Sequence, residues 1–137
     1  MTFCLAMKVR DGLVAISDSR ITSGGETSTA SKVAINEDDR SSMFVMTSGL
    51  RSARDKALTY FEDTLEQTHA TFDKLYKAVN AFAAQVRLVE AEDREALAGS
   101  NLHFNLHALL GGQFENDREH RLYLLYPQAN WVEVSRE

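Results

Sequence analysis

Residues 2–20 read TFCLAMKVRDGLVAISDSR, and this stretch decides how the chain begins to fold. Two apolar runs, residues 3–9 and 13–19, flank the turn signal Arg10-Asp11-Gly12, so the pattern predicts a β-hairpin. A two-residue loop, Asp11-Gly12, places residue 10 opposite residue 13. A three-residue loop with Gly12 left-handed places residue 9 opposite residue 13. The two registers send side chains to opposite faces of the hairpin.

Outward from the hairpin, the chain continues with further strand signals and one polar segment. Residues 22–31 are rich in Gly, Ser and Thr, which indicates a loop or a loose hairpin. Residues 32–36 and 43–47 are the next predicted strands, joined by a charged turn at 37–40. Neither strand of the first hairpin alternates cleanly between polar and apolar residues, which is typical of a sheet that is covered on both faces.

The hydrophobic period then changes from that of strands to that of helices. One amphipathic helix is predicted over about 49–66, with Ser48 as its N-cap, and a second over about 71–95, ending near Gly99-Ser100. Strand-like segments follow at 102–113, 122–126 and 131–134. Strands, two helices and strands again indicate the α+β class rather than repeated βαβ units.

Composition restricts the classes of partner and compartment. The 137 residues are enough for one domain and carry a net charge of −5, which argues against nucleic acid or an anionic membrane as the main partner. The single cysteine, Cys4, cannot form an intrachain disulfide, and the charges Lys8 and Arg10 follow the first apolar run instead of preceding it, unlike a signal peptide. A cytoplasmic location is therefore expected.

Five features in this order resemble the β-type subunits of the proteasome, which belong to the N-terminal-nucleophile (Ntn) hydrolases. They are Thr2 opening a strand, Ser17-Asp18-Ser19-Arg20 followed by Thr22, then Lys32, then Ser48-Gly49 before a helix, and finally Leu110-Gly111-Gly112 with the strand and turn at 122–127. The start Thr-Phe-Cys-Leu-Ala-Met and the turn Tyr-Pro-Gln look most like the bacterial ancestral β-subunit (Anbu) branch. The resemblance covers the chain from end to end.

The resemblance implies that Thr2 is a catalytic nucleophile that hydrolyses peptide bonds without a cofactor or a metal ion. A threonine hydroxyl needs a base, and in this class the base is the residue's own α-amine, whose pKa of about 7.7–8.0 suits that duty. Thr2 carries this amine only after Met1 is removed, and the small side chain at position 2 favours the removal.

By the same resemblance, four other residues support Thr2. Lys32 would assist through the charge of its ammonium group, and Asp18 would keep Lys32 oriented. The backbone N–H of Gly49 would form the oxyanion hole, and Thr22 would bind the substrate backbone. The hairpin register offers a geometric check, since only the three-residue loop places Asp18 on the face of Thr2, diagonal to it, so this register is the predicted one.

Each of these residues also has a simpler explanation. Taken alone, Asp18 is a strand-end turn residue, Lys32 a solvated charge at a strand edge and Cys4 a core residue. His103 and His107 are four residues apart on a strand-like run without a carboxylate partner, so no metal site is predicted. The joint occurrence of Thr2, Asp18 and Lys32 in the expected order favours the catalytic interpretation.

The sequence therefore predicts one proteasome-like domain over residues 1–137, forming the N-terminal portion of an Ntn αββα four-layer sandwich. The family's subunits continue beyond the position where this chain ends, so the domain is expected to be incomplete on its C-terminal side, and residues 1–137 alone are expected to be inactive. The expected partners are peptide substrates and copies of the same chain in a ring or an open helix. A non-catalytic structural subunit and an amidase of small amides are the alternatives.

Overall fold

The computed structural model describes residues 2–23, 25–29, 31–68 and 72–135. Within these ranges the chain forms nine strands and two helices, and every strand pair is antiparallel. The order is β1 (Cys4–Val9), β2 (Gly12–Ser17), β3 (Arg20–Ser23), β4 (Glu26–Thr29), β5 (Val33–Glu37), β6 (Ser42–Gly49), α1 (Arg51–Thr68), α2 (Leu75–Gly99), β7 (Leu106–Gln113), β8 (Arg121–Leu125) and β9 (Trp131–Glu133). The α+β prediction is confirmed, and the polar segment forms the hairpin β3–β4.

Strands β5 to β9 form one sheet in chain order, and both helices cover one of its faces. Val45 on β6, Leu110 on β7 and Leu125 on β8 belong to the same buried cluster as Phe61 and Phe82 of the helices. The rings of Phe61 and Phe82 meet edge to face, with centroids 5.6 Å apart. The core thus lies between the helices and this sheet, because the sheet turns its most apolar face toward them.

Helix α1 begins two residues later than the sequence predicts, and Ser48 is not its N-cap. Ser48 is still paired in β6, while the carbonyl oxygen of Leu50 accepts the N–H of Arg54 at 3.1 Å, so the helix begins after Leu50. The predicted apolar stripe is otherwise confirmed, since Ala53, Ala57 and Phe61 are buried. No helix in the described ranges is long and apolar enough to cross a membrane.

Helix α2 also begins later than predicted, at Leu75 rather than near residue 71, and its N-terminus is capped from another part of the chain. The carboxylate of Asp117, in the β7–β8 connection, accepts the N–H groups of Leu75 and Phe114, both at 2.9 Å. The residue at the cap position, Lys74, offers no side-chain acceptor. Asp117 therefore satisfies an otherwise unpaired helix N–H and fixes the connection to α2.

The register of the β1–β2 hairpin differs from both registers that the sequence suggests. Val9 pairs with Gly12 and Cys4 pairs with Ser17, so the loop is Arg10-Asp11 and Gly12 is the first residue of β2. The predicted three-residue loop is therefore wrong. The physical reason is that Gly12 joins the ladder, which shifts the pairing by one residue and moves Asp18 opposite Phe3.

The hairpin packs on the face of the five-stranded sheet opposite the helices. Leu13 of the hairpin and Phe44 of β6 both lie over Gly111 of β7, where a Cβ atom would come within 3 Å of their side chains. Met46 and Leu122 are fully buried on this face. The described residues therefore form three layers: the helices, the five-stranded sheet and the hairpin.

Candidate active site

An ion pair between Lys32 and Asp18 joins two of the predicted site residues. Lys32 Nζ lies 2.9 Å from Asp18 Oδ2, and the two side chains are 11% and 31% exposed. Asp18 follows the last residue of β2 and Lys32 precedes the first residue of β5, so the pair forms where two separate strand pairs meet. The mostly buried Lys32 side chain is thereby held next to a carboxylate, whereas its predicted place beside Thr2 stays a prediction.

Asp18 also anchors the residue next to Thr2. Its Oδ1 accepts the backbone N–H of Phe3 at 2.9 Å, and its own N–H donates to the Phe3 carbonyl at 3.1 Å. The hydrogen bond from Lys32, followed by that from Phe3, lowers the pKa of Asp18 below its usual value. Asp18 is therefore a carboxylate that fixes both the start of β1 and the Lys32 ammonium group.

In the observed register Asp18 lies opposite Phe3 instead of Cys4, so the predicted placement of Asp18 diagonal to Thr2 is wrong, but the Asp18 side chain still reaches Lys32. The charges of this ion pair also act on the thiol of the neighbouring Cys4. Burial raises the pKa of this thiol, the negative charge of Asp18 raises it further, and the positive charge of Lys32 lowers it. Cys4 donates to the Thr47 carbonyl at 3.6 Å. Cys4 is thus a packed, protonated thiol that lies within the field of the ion pair.

Thr2 lies at a cavity of about 510 Å³ between the hairpin and the five-stranded sheet. Its polar lining includes Thr2, Ser48 and His107, and its apolar lining includes Met46 and Leu124. Cavities with an apolar wall and a few convergent polar groups are the usual form of a ligand site. A somewhat larger cavity of about 600 Å³ lies near Phe72 and the Asp38 turn, but no predicted site residue lines it.

Sequence reasoning missed His107 as a residue of this cavity. His107 pairs directly with Ser48 across β6 and β7, and its ring packs against Tyr126 with centroids 6.2 Å apart. His103, the other histidine of the run, is exposed and lies before β7. The missed signal was the alternation of side chains along β7. Leu106 and Ala108 belong to the core beneath the helices, so His107 between them points to the opposite face of the sheet.

Gly49 ends β6 just before α1 and has a positive φ of 119°. The next N–H, that of Leu50, donates to the Asn105 carbonyl at 2.9 Å. A Cβ atom on Gly49 would overlap the Asn105 carbonyl oxygen and lie 2.8 Å from its carbon. Only glycine suits this junction, and the predicted oxyanion role of its N–H stays a prediction.

Two predicted residues fall at the margin of the described structure. The backbone of Thr22 belongs to β3, but its side chain lies outside the described part, so its predicted contact with substrate stays a prediction. Met1, whose removal would free the amine of Thr2, also lies outside the described residues.

Searches with the sequence and with the structure gave different results. No protein-family profile and no curated protein matched the sequence. The structure is similar to the solved structure described as the helical assembly of the Anbu complex from Pseudomonas aeruginosa (26% identity, TM-score 0.86) and to Anbu from Yersinia bercovieri (25% identity, TM-score 0.84). It is also similar to an Anbu mutant from Hyphomicrobium sp. strain MC1 (22% identity, TM-score 0.85), a likeness that shows the fold alone.

The matches cover 98–100% of this chain and 57% of each of the three neighbouring chains. This confirms the predicted resemblance to the ancestral β-subunits over the whole length of the chain. It also means that the chain spans little more than half the length of the proteins that it matches.

Proposed function

From the similarity to the ancestral β-subunits, we propose that this chain is a threonine-type Ntn peptidase subunit with Thr2 as its nucleophile. The observation that carries the proposal is the Lys32–Asp18 ion pair, because the same carboxylate binds the backbone N–H of the residue that follows Thr2. Without a role at Thr2, a mostly buried lysine would bring a desolvation cost and little gain. The ion pair is instead the arrangement expected where a fixed positive charge assists a nucleophile.

In the proposed reaction, the Thr2 α-amine accepts the proton of the Thr2 hydroxyl as the oxygen attacks a peptide carbonyl carbon. The C–N bond breaks, the proton passes to the leaving amine, and the acyl group stays on Oγ1. A water molecule then hydrolyses the ester and regenerates the hydroxyl. The positive charge of Lys32 opposes protonation of the amine and favours the developing negative oxygen.

Two further roles belong to the proposal. The Gly49 N–H donates to the oxyanion, which fits its position at the β6–α1 junction near a helix N-terminus. Thr22 on β3 hydrogen-bonds the substrate backbone. Asp18 is a positioning residue, because it acts on Thr2 only through Lys32 and Phe3.

The complete architecture and setting are likewise proposed rather than observed. The domain over 1–137 would be part of a four-layer αββα sandwich, and the subunit would assemble with copies of itself. The described helical assembly of a neighbour with 26% identity supports such assembly. A cytoplasmic location is supported by the lone, unpaired Cys4.

Intact-mass spectrometry tests the proposal on native protein that has lost Met1. A threonine-directed electrophile, such as a peptide epoxyketone, is expected to add once, and fragmentation is expected to locate the adduct at Thr2. The Thr2→Val variant keeps the side-chain shape but lacks the hydroxyl, so it should remain unlabelled. Thr59→Val, at an exposed position on α1, is the matched control and should label like the wild type.

Absence of any adduct on the Met1-free wild type would overturn the enzymatic proposal and favour the non-catalytic structural subunit. An adduct combined with turnover of small amides but not of peptides would favour the amidase instead. Complete retention of Met1 in the native host would also exclude catalysis by this mechanism, since the required amine would be absent.

A further inference from the structure

The cavity of about 600 Å³ lies between the helices and the five-stranded sheet, at the end of the sheet where β5 turns into β6. Its floor is apolar and consists of Met43 on β6, Leu65 on α1, Ala78 on α2, Phe72 before α2 and Phe114 after β7. Met43, Ala78 and Phe114 are buried, so the cavity reaches into the core. Its walls are layers that the described residues themselves supply.

The mouth of this cavity carries four carboxylates and one guanidinium group. Glu37, Asp38, Asp39 and Arg40 lie where β5 turns into β6, and Glu115 follows β7. All five residues are exposed, and Glu37 and Asp39 form no ion pair with any residue in the described ranges. We name this cavity, with its apolar floor and negative mouth, the acidic cleft. It is complementary to a ligand that combines an apolar body with a positive charge.

An ion pair within the protein already shows how a cation binds at this mouth. Arg40 Nη1 lies 3.2 Å from Glu115 Oε1, and the two side chains are 75% and 51% exposed. An ion pair that is this exposed contributes little to stability. A ligand cation can therefore take the place of Arg40 at Glu115 with little loss.

The walls of the acidic cleft are fixed by hydrogen bonds of the protein itself. Asp38 Oδ1 accepts the N–H groups of Arg40 at 2.8 Å and of Ser41 at 2.9 Å, which fixes the β5–β6 turn. The hydrogen bond from the Arg40 N–H, followed by those from Ser41, lowers the pKa of Asp38, so this carboxylate stays charged. On the other side, the Asn116 N–H donates to the Asp73 carbonyl at 2.8 Å and ties the chain before α2 to the β7–β8 connection. A preformed cavity binds a ligand without the cost of ordering its walls.

We propose that the acidic cleft binds an amphiphilic organic cation. The apolar body enters the floor between α1, α2 and β6, and the ammonium or guanidinium group lies among the carboxylates at the mouth. A volume of about 600 Å³ is in the range of small-molecule sites. Burial of the apolar body releases water from the floor, and the positive charge offsets the excess of carboxylates. A free amine and a peptide with an apolar residue beside a lysine share this chemistry.

The acidic cleft is separate from the cavity at Thr2. Met43 of the cleft and Ser48 of the Thr2 cavity are both on β6, about 17 Å apart along the strand. Their side chains point to opposite faces of the sheet, because their positions differ by an odd number of residues. The proposal is therefore independent of catalysis at Thr2.

Methionine-methyl NMR of the native protein during titration with 4-phenylbutylamine tests the cleft. Met43 lies in the floor, Met46 lies at the Thr2 cavity and Met7 lies on the hairpin, so the three methyl groups report on three places. Of these three, only Met43 should shift, with a dissociation constant at or below about 1 mM. 4-Phenylbutyrate has the same body with a negative charge, and butylamine has the positive charge without the ring. Each should bind at least about 10-fold more weakly than 4-phenylbutylamine.

Removal of the charges at the mouth tests the electrostatic part of the proposal. The mouth variant keeps Asp38, which fixes the turn, and replaces three exposed carboxylates by amides: Glu37→Gln, Asp39→Asn and Glu115→Gln. It should bind 4-phenylbutylamine at least about 10-fold more weakly than the wild type. The control variant replaces three exposed carboxylates on β4, α1 and α2 and should bind like the wild type: Glu26→Gln, Glu62→Gln and Glu95→Gln.

Three results would overturn the proposal. They are an unchanged Met43 signal at about 10 mM 4-phenylbutylamine, equal binding of the amine and the carboxylate, and equal loss of binding in the mouth and control variants. N-acetyl-leucyl-lysine amide distinguishes the two sources of the cation. Tighter binding of this peptide than of 4-phenylbutylamine assigns the cation to a peptide side chain, and weaker binding assigns it to a free amine. Electrophile labelling of Thr2 is a separate measurement, so failure of one proposal is distinguishable from failure of the other.

Discussion

Replacing Gly49 by alanine should destabilise the fold strongly through one methyl group. The perturbation acts where β6 ends and α1 begins, at a backbone φ of 119° that L-residues rarely adopt. The added Cβ would overlap the carbonyl oxygen of Asn105 and lie 2.8 Å from its carbon and 3.1 Å from Leu106 Cα. Those atoms are backbone atoms of the neighbouring strand region and cannot rotate away.

The expected magnitude follows from two costs. A non-glycine residue at such a dihedral angle costs about 1–3 kcal/mol. Moving packed backbone to relieve the overlap costs roughly 1–3 kcal/mol more. The free energy of unfolding should therefore fall by about 2–6 kcal/mol, and the melting temperature by roughly 10–20 °C.

Urea denaturation followed by circular dichroism measures this change. Gly99→Ala is the control, because Gly99 ends helix α2 and a Cβ there would meet no atom within 4 Å. That variant should be unchanged or more stable by up to about 1 kcal/mol. A Gly49→Ala variant within about 0.5 kcal/mol of the wild type would refute the assigned backbone strain.

Four further predictions concern the candidate site and its supports. Lys32→Ala should slow electrophile labelling of Thr2 by roughly 10²–10⁴-fold. Lys74→Ala, at an exposed position, is the control and should leave the labelling rate unchanged. An unchanged rate in Lys32→Ala would show that Lys32 has no part in the mechanism. The lowered pKa of Asp18 means that its ion pair contributes stability above the unfolded value of about 3.9 and loses this contribution as the pH falls through the folded value. A ¹³C carboxyl titration should therefore place the Asp18 midpoint in the folded protein below the Asp18 midpoint in urea, and a higher midpoint in the folded protein would contradict the pairing. Because burial raises the pKa of the Cys4 thiol, alkylation by iodoacetamide at about pH 8 should be much slower in the folded protein than in urea, and equal rates would show the thiol to be accessible. Asp117→Ala leaves the N–H groups of Leu75 and Phe114 without their acceptor, so the free energy of unfolding measured in urea should fall by about 1–3 kcal/mol. Glu62→Ala, on the exposed side of α1, is the control and should lower it by less than about 0.5 kcal/mol.

The sequence by itself determined the elements and their class. Apolar spacing located both helices, and residues such as Ala57, Phe61, Val79 and Phe82 are buried as that spacing predicts. Such local patterns are readable because a helix repeats every 3.6 residues whatever it packs against. The order of candidate residues also directed attention to Asp18 and Lys32, which the fold brings into contact.

Only the tertiary structure decided the features that depend on residues far apart in the chain. The loop Arg10-Asp11, rather than a loop that includes Gly12, closes the hairpin, and Leu13 of this hairpin packs over Gly111 of the sheet. Asp117 caps a helix that begins 42 residues earlier, and His107 faces the Thr2 cavity from a strand whose face assignment depends on the helices. Such contacts cannot be predicted from the local sequence, because they form only when separate elements pack together around one core.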